Sequence, residues 1–243
     1  MKKKTLSVII PVYNESATIE RVIAAVERAD IGVLNKEIIV VDDGSTDGTR
    51  EILERVAGEG RCRLFGHAVN RGKGAAVRLG FSKAAGDFLI IQDADLEYDP
   101  GEYSLILRPL LDGKADVVFG SRFVGSGPHR VLLFWHYLGN RLLTTFSNIF
   151  TNLNLSDMEV GYKAFSRKAV LAILPELRSN RFGIEPELAA RVAARNLRVF
   201  EVGISYYGRT YEEGKKINWK DGLAAVYFIV RYGVEAMLRR FRE

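Results

Sequence analysis

The sequence predicts one α/β domain in which helices flank a mostly parallel sheet. The chain has 243 residues, of which 47% are hydrophobic and 27% are charged, enough for one sizeable core. In the first half, short apolar runs rich in β-branched residues alternate with segments of helical periodicity. This alternation is typical of parallel strands joined by helical crossovers.

The same patterns predict the individual elements in order. The predicted strands of the first half are residues 6–10, 37–41, 88–92 and 116–119. The predicted helices between them cover residues 19–26, 52–56 and the alanine-rich stretch 74–85. After Gly120 the alternation stops, and residues 131–155 mix aromatic, Asn and Thr side chains. Further helices are predicted at residues 168–174, 186–195 and about 219–241, with a strand at 199–204.

Composition limits the classes of protein. Lys and Arg outnumber Asp and Glu by 35 to 30, a mild bias toward anionic partners. The single cysteine, Cys62, excludes an internal disulfide, and the three histidines lack metal-ligand spacing. Only residues 206–216 mix aromatic side chains with cations, so no nucleic-acid partner is expected.

The sequence also suggests a cellular location. The amino terminus does not resemble a signal peptide, and no apolar run approaches the roughly 20 residues of a membrane span. We therefore expect a cytoplasmic protein whose membrane contact is at most peripheral, at the inner face of the cell membrane.

Polar turns follow the first three predicted strands, where open parallel sheets bind their ligands. The first turn contains no glycine, and residues 66–74 space their glycines wrongly for a P-loop. A dinucleotide fold and P-loop hydrolysis are therefore disfavoured. In the third turn, Asp93, Asp95 and Glu97 offer carboxylates, the ligands that hard cations such as Mg²⁺ or Mn²⁺ prefer. Such a metal would neutralise a diphosphate and help it depart from a sugar carbon.

Five ordered motifs give the chain a resemblance to a known family. They are SVIIPVYNE at 7–15, EIIVVDDGSTDGT at 37–49, NRGKGAAVRLG at 70–80, DAD at 93–95 and GSRF at 120–123. Together they resemble family 2 glycosyltransferases of the GT-A fold, and more closely the branch that transfers mannose to dolichyl or polyprenyl phosphate. The resemblance covers about residues 6–222. It implies an α/β GT-A domain with a Rossmann-like nucleotide-binding half.

The resemblance places the donor site in the first half of the chain. It implies that one set of residues holds the nucleotide and its diphosphate: Pro11, Tyr13, Glu15, Asp43, Arg71, Lys73 and Asp93. An Asp43 carboxylate suits the N–H donors of guanine or uracil, and a cation with glycine amides before a helix suits phosphate. The competing interpretation is that Asp42 and Asp43 cap the following helix and that Arg71 and Lys73 are solvated.

The resemblance also implies a set of acceptor-binding residues: Arg122, Asn140, Glu159, Arg209 and Lys216. In the lipid-phosphate branch the matching arginines bind the acceptor phosphate, which suits the planar guanidinium. The chain departs from this branch at His136 and Asn140, where the branch often carries an arginine and a serine. In residues 157–163, which resemble the acceptor loop of the family, Asp157 is either a general base for a hydroxyl acceptor or an orienting residue.

We therefore expect a single domain over residues 1–243, with a nucleotide-sugar half at about 5–120 and an acceptor half at about 121–243. The expected reaction is metal-dependent, inverting transfer of a sugar, foremost mannose from GDP-mannose, to polyprenyl phosphate. Its expected catalytic residues are Asp95, Arg122, Asp157 and Arg209.

Two alternatives stay open for the function. One is another donor, such as UDP-glucose, with a hydroxyl acceptor on a glycan or small metabolite; the other is a non-catalytic nucleotide-sugar-binding protein. The final amphipathic helix is expected to pack against the domain, against a second copy in a homodimer, or on an anionic membrane surface.

Overall fold

A computed structural model describes residues 3–125, 131, 133–208 and 219–240. The strands in these residues are β1 (Thr5–Val12), β2 (Asn35–Asp42), β3 (Arg63–Gly66), β4 (Phe88–Ile91), β5 (Val117–Ser121), β6 (Lys163–Ser166) and β7 (Val199–Gly203). The helices are α1 (Ile19–Arg28), α2 (Thr49–Gly58), α3 (Lys73–Lys83), α4 (Tyr103–Leu111), α5 (Phe134–Thr151), α6 (Arg167–Ile173), α7 (Ile184–Ala194) and α8 (Trp219–Arg240).

The strands form one sheet in the order β3-β2-β1-β4-β6-β5-β7. All pairs are parallel except those that β6 makes with β4 and β5. The predicted fold class, a mostly parallel sheet flanked by helices, is therefore confirmed. The antiparallel β6 matters for the site, because the chain enters it at the edge where the parallel strands end.

The central strands are buried on both faces, as their continuous apolar runs predict. Val8, Ile9 and Ile10 of β1 have no exposed surface. Helix α3 packs directly on this strand, since a Cβ atom at Gly80 would lie 2.3 Å from Cγ2 of Ile9. A glycine is required at position 80 for this close approach.

Helix α5 covers part of the stretch in which no element was predicted. It has an unusual polarity, because it buries Thr144, Ser147 and Thr151 and exposes apolar side chains. Trp135 is 76% exposed and Ile149 is 69% exposed. Several apolar side chains of α5 therefore face outward, while Leu143, Phe146 and Phe150 pack against the core.

Helix α8 packs against α5 and α7, which confirms the predicted packing of the final helix against the domain. It buries Ile229, Tyr232 and Ala236 and leaves Leu223 and Tyr227 exposed. Within the described part of the chain, no helix has the length and apolar character needed to cross a membrane.

Candidate active site

The segments that the motifs singled out meet at the carboxyl edge of the parallel strands. Residues 13–18 follow β1, residues 43–48 follow β2 and residues 92–99 follow β4. Residues 157–162 precede the antiparallel β6 and so reach the same edge. The strand order reverses between β1 and β4, which is where open α/β sheets bind ligands.

The turns after β1 and β2 are joined by hydrogen bonds. The backbone N–H of Asn14 donates to Oγ of Ser45 at 3.0 Å, and the backbone N–H of Glu15 donates to Oγ1 of Thr49 at 2.9 Å. Tyr13 is 38% exposed beside them. These contacts hold the predicted base-binding residues after β1 against the turn that contains Asp43.

The carboxylate of Asp43 is buried and binds protein groups. It accepts the backbone N–H groups of Arg71, at 3.1 Å, and Gly72, at 2.6 Å. It also lies 2.7 Å from Nδ1 of His67. Asp43 thus anchors the loop that leads into α3, and its direct contact with a nucleotide base stays a prediction.

The helix-capping interpretation of Asp42 and Asp43 does not match the contacts of α2. The first amide N–H of this helix, that of Thr49, donates to Oδ1 of Asp47 at 3.1 Å. Asp42 is fully buried and accepts the amide N–H of Ser45 at 3.1 Å. Asp42 therefore shapes the turn, and Asp47 provides the side-chain contact at the helix start.

Lys73, the first residue of α3, joins the two halves of the site. Its Nζ lies 2.8 Å from Oδ1 of Asp93 and 3.0 Å from Oε1 of Glu185, the latter on α7. Burial opposes the charged form, but the two carboxylates raise the pKa of Lys73 above its ordinary value. Lys73 is therefore a fixed cation and not a solvated side chain.

Glu185 extends this network into the second half of the chain. Its carboxylate also accepts a hydrogen bond from Nζ of Lys163, a fully buried lysine on β6. Burial would raise the pKa of Glu185, but Lys163 and Lys73 lower it. Asp93, Lys73, Glu185 and Lys163 thus form a chain of alternating charges, partly buried at Asp93 and Lys73 and buried at Glu185 and Lys163, which we call the charge chain.

The segment before β6 packs tightly against the end of β4. A Cβ atom at Gly161 would lie 2.2 Å from Oδ2 of Asp93 and 3.0 Å from Nζ of Lys73. The Gly161 amide N–H donates to the buried Tyr98 hydroxyl at 3.0 Å. A side chain at position 161 would therefore displace the carboxylate of Asp93, and the glycine permits residues 157–162 to lie against it.

The three predicted metal ligands have different surroundings. Asp93 pairs with Lys73, while Oδ1 of Asp95 accepts the amide N–H of Glu97 at 3.2 Å. The Glu97 carboxylate accepts a hydrogen bond from the Tyr206 hydroxyl at 2.7 Å. Among the described residues, no group of three or more Asp, Glu, His or Cys side chains is arranged to hold a metal ion.

Arg122 lies just past the end of β5 and forms a buried ion pair with Asp157. Its Nε and Nη2 atoms each donate to the Asp157 carboxylate at 2.7 Å, and its backbone N–H donates at 3.1 Å. Nη2 also lies 3.4 Å from Oδ1 of Asn140 on α5. Burial opposes the charge, but Asp157 holds the pKa of Arg122 well above its ordinary value. The structure thus brings together two predicted acceptor-binding residues, Arg122 and Asn140, with Asp157 of the predicted acceptor loop.

Glu159, the third predicted acceptor-binding residue in the described chain, lies in the segment between Asp157 and Gly161. One carboxyl oxygen, Oε1, is buried and has no hydrogen-bond partner in the part of the chain that is described. Burial raises the pKa of Glu159 to about 7; Glu185 adds to the rise, and Lys163 and Arg122 oppose it. Arg209 and Lys216, the remaining predictions, lie outside the described residues.

Sequence reasoning missed two side chains of the site, His67 and Lys163. His67 stands alone between a strand and a loop, and only the fold brings it to Asp43. Lys163 belongs to a strand of four residues that was not predicted. No local signal distinguishes His67, and Lys163 was included in the segment 157–163 without being assigned a role.

The profile of Glycosyl transferase family 2 matches residues 7–174 of the chain. The chain therefore belongs to this family, and the class that the fold and site define is a glycosyltransferase with the GT-A fold. Glycosyltransferase AglJ of Haloferax volcanii is 32% identical over 206 residues, covering 83% of this chain and 63% of that relative.

A second relative is the low-salt glycan biosynthesis hexosyltransferase Agl6 of Haloferax volcanii. It is 31% identical over 229 residues, covering 93% of this chain and 53% of Agl6. The chain thus spans between about half and two thirds of the length of these two relatives.

The fold is also that of a solved structure, glucosyl-3-phosphoglycerate synthase from Mycobacterium tuberculosis. The two share a TM-score of 0.72 and 21% sequence identity, over 96% of this chain and 80% of the synthase. The synthase was crystallised with Mn²⁺, UDP and glucosyl-3-phosphoglycerate. At this level of identity, the likeness establishes the fold alone.

Proposed function

We propose that the chain transfers a hexose from a nucleotide diphospho-sugar to a polyprenyl phosphate by direct displacement with inversion. The observation that carries the proposal is a site with two charged ends joined by one short segment. At one end Asp93 and Lys73 meet, and at the other Arg122 and Asp157 meet. The end with Asp93 and Lys73 suits a diphosphate leaving group, and the end with Arg122 suits an anionic acceptor.

Hexose transfer is supported by Agl6, a hexosyltransferase by name. GDP-mannose is the favoured donor because the motifs resemble mannosyltransferases most closely, and UDP-glucose is the second choice. The loop that Asp43 anchors contains Arg71, whose exposed side chain is the proposed cation for the diphosphate. Binding at the start of α3 would also use the positive end of the helix.

Asp93 and Asp95 are the residues that would hold Mg²⁺ or Mn²⁺. Their donor set fits such an ion, since both provide hard carboxylate oxygens at the end of one strand. A bound dication supplies charge neutralisation for a departing diphosphate. Because Glu97 contacts Tyr206, the proposal assigns the metal to two carboxylates and not to three.

Arg122 is the proposed acceptor group. Its guanidinium is held in one orientation by Asp157, so little conformational freedom would be lost when it binds an anion. Asp157 is assigned here as the orienting residue, because its two carboxyl oxygens are both engaged by Arg122. The alternative, a hydroxyl acceptor with Asp157 as general base, would require this ion pair to open.

The outward apolar side chains of α5 and α8 support a lipid acceptor. Leu142, Ile149 and Val226 line a groove between the two helices, and Trp135 is exposed on α5. Helix α5 contains no acidic residue, and Arg141 is its one arginine or lysine. An aromatic and apolar face with a cation suits the interface of an anionic membrane.

The test is a paired titration of polyprenyl phosphate and the matching polyprenol at a fixed donor concentration. We expect the wild type to prefer the phosphate. Arg122→Ala should lower acceptor kcat/KM by about 10- to 100-fold and leave slow donor hydrolysis intact, because a charge-assisted contact is lost. Arg122→Lys keeps the positive charge but loses the paired N–H donors of the planar guanidinium. Its acceptor kcat/KM should lie between those of the wild type and Arg122→Ala.

Arg198→Ala is the matched control, since Arg198 pairs with Asp116 on the exposed surface. A preference for the alcohol, together with a larger effect of Asp157→Asn than of Arg122→Ala, would replace the lipid-phosphate proposal with the hydroxyl acceptor.

A further inference from the structure

Glu159 lies in the middle of the segment that connects the two ends of the site. At position 157 this segment binds Arg122, and at position 161 it packs against Asp93. Under the proposed function, the diphosphate lies at the Asp93 end and the acceptor phosphate at the Arg122 end. The part of the substrate between them is the transferred sugar.

Glu159 also stands outside the ion pairs of the charge chain and of Arg122. The charge chain contains two lysines and two carboxylates, and Arg122 and Asp157 balance each other. Glu159 adds a carboxyl group that none of these cations contacts within ion-pair distance in the described residues. Burial raises the pKa of Glu159, and Glu185, Lys163, Arg122 and Asp157 also influence it, so Glu159 lies within electrostatic reach of the inner part of the charge chain and of the Arg122 ion pair.

The buried Oε1 atom of Glu159 lacks a hydrogen-bond partner among the described residues. Leaving a buried polar atom unsatisfied is costly, so such an atom in a site requires an explanation. A sugar hydroxyl both donates and accepts hydrogen bonds, so it satisfies a carboxyl group in either protonation state.

We propose that Glu159 determines donor specificity by hydrogen bonding to a hydroxyl group of the transferred sugar. This proposal rests on the proposed function and adds to it a residue that recognises the sugar itself. It predicts that Glu159 contributes to the binding of a nucleotide sugar but not to the binding of the nucleotide diphosphate alone.

The experiment is calorimetric titration with GDP, GDP-mannose, UDP and UDP-glucose, at constant Mg²⁺ and without acceptor. For the preferred base, the ratio of the two dissociation constants, sugar nucleotide against nucleotide, measures the sugar contribution. Glu159→Leu should reduce this contribution by about 10- to 100-fold and leave nucleotide binding unchanged, as expected for a lost bond to a charged group. Glu159→Gln, which can still bond a hydroxyl, should retain most of it.

Deoxy analogues of the preferred donor identify the hydroxyl. One analogue should bind the wild type more weakly than the parent donor does. Glu159→Leu should bind this analogue and the parent donor with the same affinity. Glu51→Leu, on the exposed side of α2, is the control for loss of a carboxylate elsewhere. Thermal unfolding of each variant shows whether it is folded, and Glu159→Gln keeps the test valid where Glu159→Leu does not fold.

The outcomes separate the two proposals. An unchanged sugar contribution in Glu159→Leu overturns the role of Glu159 and leaves the proposed function standing. A wild type that binds neither nucleotides nor nucleotide sugars overturns both.

Discussion

At the scale of single residues, Asp43 holds the loop that leads into α3, a role that the sequence motif alone does not reveal. Its carboxylate holds the N–H groups of Arg71 and Gly72, and it contacts His67. Loss of this carboxylate would therefore release the loop that leads into α3. Donor binding depends on that loop under the proposed function.

We predict that Asp43→Ala raises the donor KM more than it lowers kcat, because the loop acts in the ground state and the transition state alike. The affinity for GDP and UDP should fall by about tenfold or more, given the loss of several buried hydrogen bonds. Calorimetry measures this directly. Equal nucleotide affinity in the wild type and the variant would contradict the assignment.

The carboxylates at the end of β4 provide the second prediction. Asp93→Asn and Asp95→Asn should each lower transfer by about 100-fold or more, because metal-assisted departure of the diphosphate is the step they serve. Added Mn²⁺ should restore activity only in part. Asp112→Asn, at the exposed end of α4, is the control. Full turnover of the wild type in the presence of a chelator would remove the metal from the account.

The third prediction concerns the stability of the protein as a function of pH. The pKa of Glu159 is raised to about 7 from an ordinary value of 4.5. Between these values the unfolded chain loses its proton while the folded chain keeps it, so this group lowers stability as pH rises. Glu159→Gln removes the effect. It should be about as stable as the wild type near pH 4.5 and more stable by up to about 3 kcal/mol near pH 8.

Urea unfolding of the wild type and Glu159→Gln at both pH values measures this difference, since all other titrating groups are shared. Glu51→Gln should show no such trend. A stability difference that is the same at both pH values would mean that Glu159 titrates normally in the folded protein.

At the scale of elements, the buried strands could be predicted from the sequence, whereas helix α5 could not. The strands β1, β2 and β4 were predicted because their apolar runs are buried on both faces, as in Ile39 of β2. Helix α5 was not predicted because its apolar residues lie on two faces: Leu143, Phe146 and Phe150 pack against the core beside the buried Thr144 and Ser147, while Trp135, Leu142 and Ile149 are exposed. Its apolar pattern therefore does not follow one buried stripe.

The short elements were missed for a different reason. Strands β3 (RLFG) and β6 (KAFS) lack the continuous apolar run that marks β4, which is equally short, and β6 pairs antiparallel with both neighbours. The site residues that were predicted are those in motifs that directly follow a predicted strand. The contact of Lys73 with Glu185, and that of Glu185 with Lys163, depends on α7 and β6 packing together, which no local pattern specifies.

The fourth prediction concerns the outer face of α5. Leu142→Glu and Trp135→Glu should weaken binding to vesicles that contain an anionic phospholipid by about tenfold or more, because an apolar contact is replaced by a repelled charge. Both side chains are exposed, so the fold should be unaffected. Leu171→Glu on α6, where Leu171 is 59% exposed, is the control. Equal vesicle binding by all four proteins would assign this face to another partner.

At the scale of the whole molecule, the antiparallel strand β6 unites the two halves of the sheet into one site. It lies between β4, which ends at the proposed metal ligands, and β5, which ends at Arg122. The chain before it contacts both ends through Asp157 and Gly161. Under the proposed function, donor and acceptor would lie at opposite ends of one short segment, as direct displacement of a leaving group requires.

The most direct test of this account is a product analysis. The wild type is incubated with labelled GDP-mannose or UDP-glucose and Mg²⁺, with polyprenyl phosphate, with polyprenol or with no acceptor. The account predicts that the label of one donor moves to polyprenyl phosphate with inversion at the sugar carbon, and that a chelator stops this transfer. Label that appears on the alcohol in preference to the phosphate, or only as free sugar in every reaction, would contradict it.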